Sequence, residues 1–96
     1  MDYNKWIARE LQRLLPKKAL ITIDRHALIE AWKDGFSEEH IVLTVREGRI
    51  QEKKCEWPHK IAFRKYFGKQ NQTCLVITRF EKTHIMVKTT WLYQGN

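Results

Sequence analysis

Four side chains in this sequence have the chemistry that acts on RNA: a histidine, two arginines and a tyrosine. His26 directly follows Arg25 after a short apolar run, where a neutral imidazole could exchange the protons that cleavage by an RNA 2′-hydroxyl requires. Arg64 and Arg79 could stabilise a crowded phosphate, while Tyr66 could stack on a base or move a proton. From spacing alone, a structural histidine packed between helix and sheet is the favoured interpretation of His26.

Cations and aromatic side chains alternate along the second half of the chain, as is typical of surfaces that bind single-stranded RNA. The predicted RNA-binding residues are Lys60, Arg64, Arg79, His84 and Lys88. The alternative is a solvated sheet face, which is commonly charged. No metal or cofactor is predicted, because Cys55 and His59 lack a second pair of ligands and the chain has no nucleotide-binding glycine motif.

The positive charge is concentrated in one half of the chain. The formal net charge is +7, made up of +3 in residues 1–20, −3 in residues 21–48 and +7 in residues 49–96. A polarised basic domain suits a polyanion such as nucleic acid, although lysines also keep a small sheet soluble.

The length of 96 residues predicts a single domain with a modest core. Residues 1–18 contain no continuous apolar segment, and the two cysteines form no CxxC pair. The sequence therefore predicts a cytoplasmic protein that does not contact a membrane.

Hydrophobic periodicity predicts an α+β fold, with a helical first half and a sheet in the second half. Asp24 and Ser37 are predicted N-caps, and Gly35 is a predicted helix stop. The predicted order is an additional N-terminal helix in residues 1–18, a short strand at 20–23, helices at 24–32 and 37–48, and a four-stranded antiparallel β-meander with strands at 49–55, 60–67, 73–80 and 84–91.

The hydrophobic pattern predicts the strand register that gathers apolar residues on one face, because a slip of one residue exchanges the two faces. With Phe67 opposite Cys74 and Phe80 opposite Ile85, the core face collects Ile61, Phe63, Phe67, Cys74, Val76, Phe80, Ile85, Val87 and Trp91. The opposite face collects Lys60, Arg64, Tyr66, Arg79, His84, Lys88 and Thr90. Three apolar residues lie among these cations and predict a partner-binding surface: Leu75, Ile77 and Met86.

The segment Ile21–Ala27, followed by Gly35–Ile41 and Gly48, resembles the opening of BrnT-like toxins and their sister domains in the RelE/ParE superfamily. The resemblance extends from Leu20 to Tyr93, so residues 19–93 are expected to form the RelE-like core of the single domain 1–96. It covers short motifs and the order of the elements. Glu30 and Asp34 depart from the pattern, since the family often carries arginines in this helix.

The resemblance implies a toxin-like endoribonuclease that cleaves RNA without metal and is neutralised by a small antitoxin. It would place His26, Arg64 and Arg79 at the catalytic positions. Two alternatives remain open: a non-catalytic module that binds RNA or the ribosome, and a small protein-interaction subunit. The expected partners are RNA, either free or on the ribosome, and either a small acidic antitoxin-like protein or a second copy of the chain.

Overall fold

A computed structural model describes residues 18–56, 59–81 and 83–96 of the chain. Residues 1–17 of the N-terminal helix predicted for residues 1–18 lie outside the described residues, which begin at Lys18. The described elements are β1 (Leu20–Ile23), α1 (Arg25–Lys33), α2 (Glu38–Glu47), β2 (Arg49–Ile50), a 3₁₀ turn (Glu52–Lys54), β3 (Lys60–Phe67), β4 (Gln72–Phe80) and β5 (His84–Gln94).

The helices begin and end where the sequence predicts. Asp24 is the N-cap of α1, and its Oδ1 accepts the backbone N–H of His26 at 3.0 Å. Gly35 follows α1 with a φ of 79°, the left-handed conformation that glycine adopts without strain. Ser37 is the N-cap of α2, and its backbone N–H donates to Nδ1 of His40 at 3.0 Å. His40 therefore takes the place that Glu or Gln usually holds in a capping box.

The described sheet has five strands, in the order β1-β5-β4-β3-β2. The prediction of a four-stranded antiparallel meander therefore lacks one strand of the sheet. The strands β2 to β5 do follow one another antiparallel, and β1 adds a fifth strand parallel to β5. Ile21 and Ile23 of β1 pair with Ile85 and Val87, so that all four reach the core. A four-residue strand thus gains both backbone partners and burial by joining the edge of the meander.

The predicted strand at 49–55 is shortened to Arg49–Ile50, because the chain then turns into the 3₁₀ turn. Backbone N–H groups of Lys54 and Cys55 donate to the carbonyl oxygens of Gln51 and Glu52, each at 3.0 Å. Residues 51–55 therefore turn over the sheet instead of extending its edge.

The register between β4 and β5 is confirmed at Phe80, which pairs with Ile85. Between β3 and β4 the prediction was wrong by two residues, since Phe67 pairs with Gln72 and not with Cys74. The turn is tighter than predicted because Asn71 takes a φ of 51°. A shift of two residues leaves both faces unchanged.

A β-bulge in β5 corrects two further predictions. Thr78 pairs with Val87 and Ile77 pairs with Thr89, which leaves Lys88 as the extra residue. Beyond the bulge the faces are exchanged, so Trp91 leaves the core face. Thr90 takes an inward position instead of its predicted outer one, where it is 2% exposed and Oγ1 donates to the Ala27 carbonyl oxygen at 2.6 Å.

The core lies between the two helices and one face of the sheet. It contains Ala27, Ala31, Phe36, Ile41 and Val45 from the helical half, packed on Ile61, Phe63, Cys74, Val76, Ile85 and Val87. No helix in the described parts of the chain is long and apolar enough to cross a membrane. We call the sheet face turned away from α1 and α2 the outer face. Its side chains are the candidates for function.

Candidate nucleic-acid interface

The strand register places the outer-face side chains in rows that cross the sheet. Tyr66, Thr73 and Tyr93 form one row, because Thr73 pairs with both tyrosines. The next row contains Arg49, Arg64, Leu75 and Trp91, and the row at the far end contains Lys60, Arg79, Met86 and Thr22. The two tyrosines therefore lie at one end of the outer face, Trp91 lies with the two arginines in the next row, and the remaining cations lie towards the far end.

The apolar centre of the outer face is covered by the chain itself. Leu75 and Ile77 are only 4% and 6% exposed, and with Ala62 they form a second small cluster against Cys55. The Cys55 thiol donates to the Gln51 carbonyl oxygen at 3.4 Å and accepts the Ala62 N–H at 3.3 Å. These contacts hold residues 51–55, the first part of the connection between β2 and β3, over the sheet.

The predicted partner-binding trio is therefore largely buried. Leu75 and Ile77 lie under the connection, whereas Met86 is half-buried and its sulfur lies 3.9 Å from Nζ of Lys88. An acidic partner or a second copy of the chain stays a prediction, with Met86 as the member of the trio that solvent reaches.

Three aromatic residues of the outer face are exposed instead. Trp91 is 49% exposed, Tyr93 43% and Tyr66 39%. The Lys54 ammonium lies 5.4 Å from the centroid of the Trp91 ring, close enough for a cation–π interaction. Rings presented in this way offer stacking surfaces to unpaired bases.

A groove of about 460 Å³ runs beside Trp91 and is called the tryptophan groove. Four cations line it, namely Lys54, Lys60, Arg79 and Lys88, together with one acidic residue, Glu56. The three RNA-binding candidates Lys60, Arg79 and Lys88 are thus brought together. Lys88 enters the groove as the extra residue of the bulge.

Three of these cations form ion pairs at the rim of the tryptophan groove. The nitrogen–oxygen distances are 3.7 Å for Lys60–Glu56, 3.4 Å for Arg79–Glu81 and 3.7 Å for Lys88–Asp24. Every partner in these pairs is at least one-third exposed, so each pair contributes about 0–1 kcal/mol to stability. Such weak carboxylate contacts can be exchanged for phosphate contacts at small cost.

A second groove of about 300 Å³ lies at the β2 edge and is called the arginine groove. Arg49, Arg64, Tyr66 and Asn96 line it. Arg49 and Arg64 are directly opposite each other on β2 and β3. The Arg64 Nη2 donates to Oδ1 of Asn96 at 3.2 Å, and the Tyr66 hydroxyl donates to Oδ1 of Asn71 at 2.8 Å.

The four residues predicted to be catalytic are not brought into one site. Arg64 and Tyr66 line the arginine groove, whereas Arg79 lines the tryptophan groove. His26 is exposed in the first turn of α1, in the helical layer. His84 lines neither groove, and its Nδ1 lies 3.1 Å from the Thr83 hydroxyl.

Sequence reasoning missed several residues of the outer face, including Arg49, Lys54, Trp91 and Tyr93. The sequence predicts a charged edge strand for Arg49 but no register for it, so it does not show that Arg49 pairs with Arg64. Strict alternation along β5 predicts that Trp91 lies in the core, because alternation cannot reveal a bulge. The position of Lys54 depends on the 3₁₀ turn, which the charged segment at 49–55 does not predict.

Two further groups capable of acid–base or nucleophilic chemistry, His40 and Cys74, have structural roles. His40 is tied to Ser37 and packs its ring 4.6 Å from Phe36 and 5.1 Å from Phe67, measured between centroids. Burial raises the pKa of the Cys74 thiol to about 11, although a hydrogen bond with Thr44 opposes the shift. A thiol with this pKa is neutral at physiological pH and is a poor nucleophile.

Among the described residues, no three His, Cys, Asp or Glu side chains are grouped so that they could hold a metal ion. Comparison with protein-family models, with curated proteins and with solved structures finds no match for the chain. We therefore infer function from the geometry of the outer face.

Proposed function

We propose that the outer face binds single-stranded RNA, with phosphates in the tryptophan groove and bases stacked on the neighbouring aromatic rings. The observation that carries the proposal is the half-exposed Trp91 at the wall of a groove lined by four cations. Stacking on an aromatic side chain contributes about 1–3 kcal/mol per base and tolerates any sequence. Cations beside the ring would hold the backbone that connects the stacked bases.

The shape and charge of the groove favour a flexible strand over a duplex. The groove is about 460 Å³ in volume, and Trp91 can stack only on a base that is free of its neighbours. The basic second half of the chain, with its net charge of +7, would also draw RNA to this face through long-range attraction.

Phosphate contacts and base stacking are distinguished by the salt dependence of binding. Arg79→Gln should weaken binding of an unstructured 12-nucleotide RNA and reduce the slope of log K against log salt by about 0.7. Trp91→Leu should weaken binding by about 1–3 kcal/mol, or roughly 5- to 150-fold, and leave the salt slope unchanged. Fluorescence anisotropy at four salt concentrations measures both effects.

Lys33→Gln is the matched control for the loss of one cation. Lys33 is exposed in the helical layer and, like Arg79, has a carboxylate partner, in this case Glu30 at 3.3 Å. The control should bind RNA as the wild type does. Equal weakening by Lys33→Gln and Arg79→Gln would show that net charge, and not the outer face, governs binding.

A second candidate function is cleavage of RNA without metal. The observation that favours it is the presence of a guanidinium and a phenol, from Arg64 and Tyr66, in one groove. RNA degradation by purified protein in excess EDTA tests this function directly. Cleavage at the arginine groove would be lost in Tyr66→Phe and retained in His26→Ala, and the reverse pattern would place the reaction at the start of α1.

A further inference from the structure

The cations near the outer face differ in how their charge is neutralised. Lys60, Arg79 and Lys88 each lie within 4.0 Å of a carboxylate oxygen. Within the described parts of the chain, Arg49 and Arg64 form no such pair, even though they are directly opposite each other on adjacent strands. Like charges in this position destabilise a sheet, so an anion between them would relieve the repulsion.

The acidic residue in the arginine groove is already engaged. Glu47 lines this groove, and its Oε1 lies 3.5 Å from Nζ of Lys65. Asn96 accepts a hydrogen bond from Arg64 but carries no charge. With Glu47 matched to Lys65, the two guanidinium groups leave a local charge of +2.

We propose that Arg49 and Arg64 bind the terminal phosphate of an RNA chain. A phosphate monoester at the end of a chain is close to a dianion at neutral pH, whereas a phosphodiester within the chain carries one negative charge. Two adjacent guanidinium groups match the dianion in charge and present paired N–H donors to its oxygens. This inference rests on the proposed RNA binding and identifies the part of the ligand that enters the arginine groove.

Tyr66 is positioned to receive the terminal base. It lies two residues from Arg64 on the same face of β3, a separation of about 7 Å along the strand. Its hydroxyl is held by Asn71 at 2.8 Å while its side chain is 39% exposed. One nucleotide can therefore place its phosphate between the arginines and its base against the tyrosine ring.

The test compares three RNA oligonucleotides of one sequence, with a 5′-phosphate, a 3′-phosphate, or hydroxyl groups at both ends. One phosphorylated form should bind about tenfold more tightly than the hydroxyl form at 0.15 M salt, which also identifies the end that is bound. Arg49→Gln and Arg64→Gln should each abolish this preference. Arg25→Gln, an exposed arginine at the start of α1, should retain it.

A second measurement shows whether the variants are folded and whether the arginines repel each other. In chloride at low ionic strength, Arg49→Gln should raise the melting temperature by about 1–4 °C, because the repulsion is removed. Inorganic phosphate at equal ionic strength should raise the melting temperature of the wild type and leave that of Arg49→Gln unchanged.

The outcomes separate this inference from the proposed function. Equal binding of the three oligonucleotides, with the expected salt dependence, would overturn the terminal-phosphate site and leave RNA binding intact. Absence of binding by all three would overturn both proposals. A preference that survives in Arg49→Gln and Arg64→Gln would show that the terminal phosphate is bound elsewhere.

Discussion

Gly48 joins the end of α2 to the arginine groove at a place where a side chain does not fit. Its φ is −74°, so the backbone conformation itself is open to any residue. A Cβ at this position would overlap the Thr44 carbonyl oxygen and would stand 2.7 Å from the carbonyl oxygen of Arg64. Both obstacles are backbone atoms, which cannot move without displacing α2 or β3.

The free energy of unfolding should fall by about 2–4 kcal/mol in Gly48→Ala. Ordinary contact begins near 3.4 Å, so the Arg64 carbonyl would have to retreat by roughly 0.7 Å. Overpacking of this kind costs about 1–3 kcal/mol, and separating the two-residue strand β2 from β3 would cost about one hydrogen bond more. A small domain has only about 5–10 kcal/mol in total, so the change is large.

Urea unfolding followed by circular dichroism measures this loss, and Gly68→Ala provides the control. A Cβ at Gly68 would meet nothing closer than the Tyr66 ring at 3.8 Å. That variant should unfold at the wild-type urea concentration or slightly above it, because alanine restricts the unfolded chain. If Gly48→Ala and Gly68→Ala unfold at the same urea concentration, the close approach of α2 to β3 is refuted.

Two further predictions concern buried side chains of the sheet. Burial raises the pKa of the Cys74 thiol from 9.0 to about 11. The buried neutral thiol therefore contributes fully to stability below pH 9, and this contribution is lost as the pH rises towards 11, because the thiol ionises more easily in the unfolded chain. Between pH 8 and pH 10 the wild type should therefore lose about 1 kcal/mol more than Cys74→Ala in urea unfolding, and parallel losses would contradict this reasoning. Thr90→Val should lower stability by about 1 kcal/mol, because it removes the hydrogen bond to the Ala27 carbonyl oxygen. The neighbouring Thr89→Val, on the outer face, should change stability by less than about 0.5 kcal/mol, and an equal loss in the two variants would show that the buried hydrogen bond contributes nothing.

The sequence predicted α1, α2 and the faces of β3 and β4 because these depend on local signals. Asp24, Gly35 and Ser37 act within one turn of each helix end, and the structure confirms all three. The faces of β3 and β4 survived a wrong register because the error was two residues. The hydrophobic pattern predicts the face on which a residue lies, and an error of two residues in the register does not change that face.

The sequence could not predict features that depend on contacts between distant segments. Nothing in the four residues Leu20–Ile23 indicates which strand they join, and their pairing with β5 spans more than sixty residues of chain. Similarly, the charged segment at 49–55 was compatible with a strand. Its turn is favoured only once Cys55 can pack against Leu75 and Ile77.

These distant contacts also explain why the predicted catalytic residues are scattered while cations and aromatic rings are brought together on the outer face. The bulge at Lys88 turns Trp91 outward and places the lysine itself in the tryptophan groove. The 3₁₀ turn covers Leu75 and Ile77 and brings Lys54 over the exposed indole ring. The 3₁₀ turn therefore removes apolar surface from the outer face and adds a cation, whereas the bulge adds a cation and an exposed aromatic ring. A surface on which cations adjoin exposed rings is the combination on which our proposal of RNA binding depends.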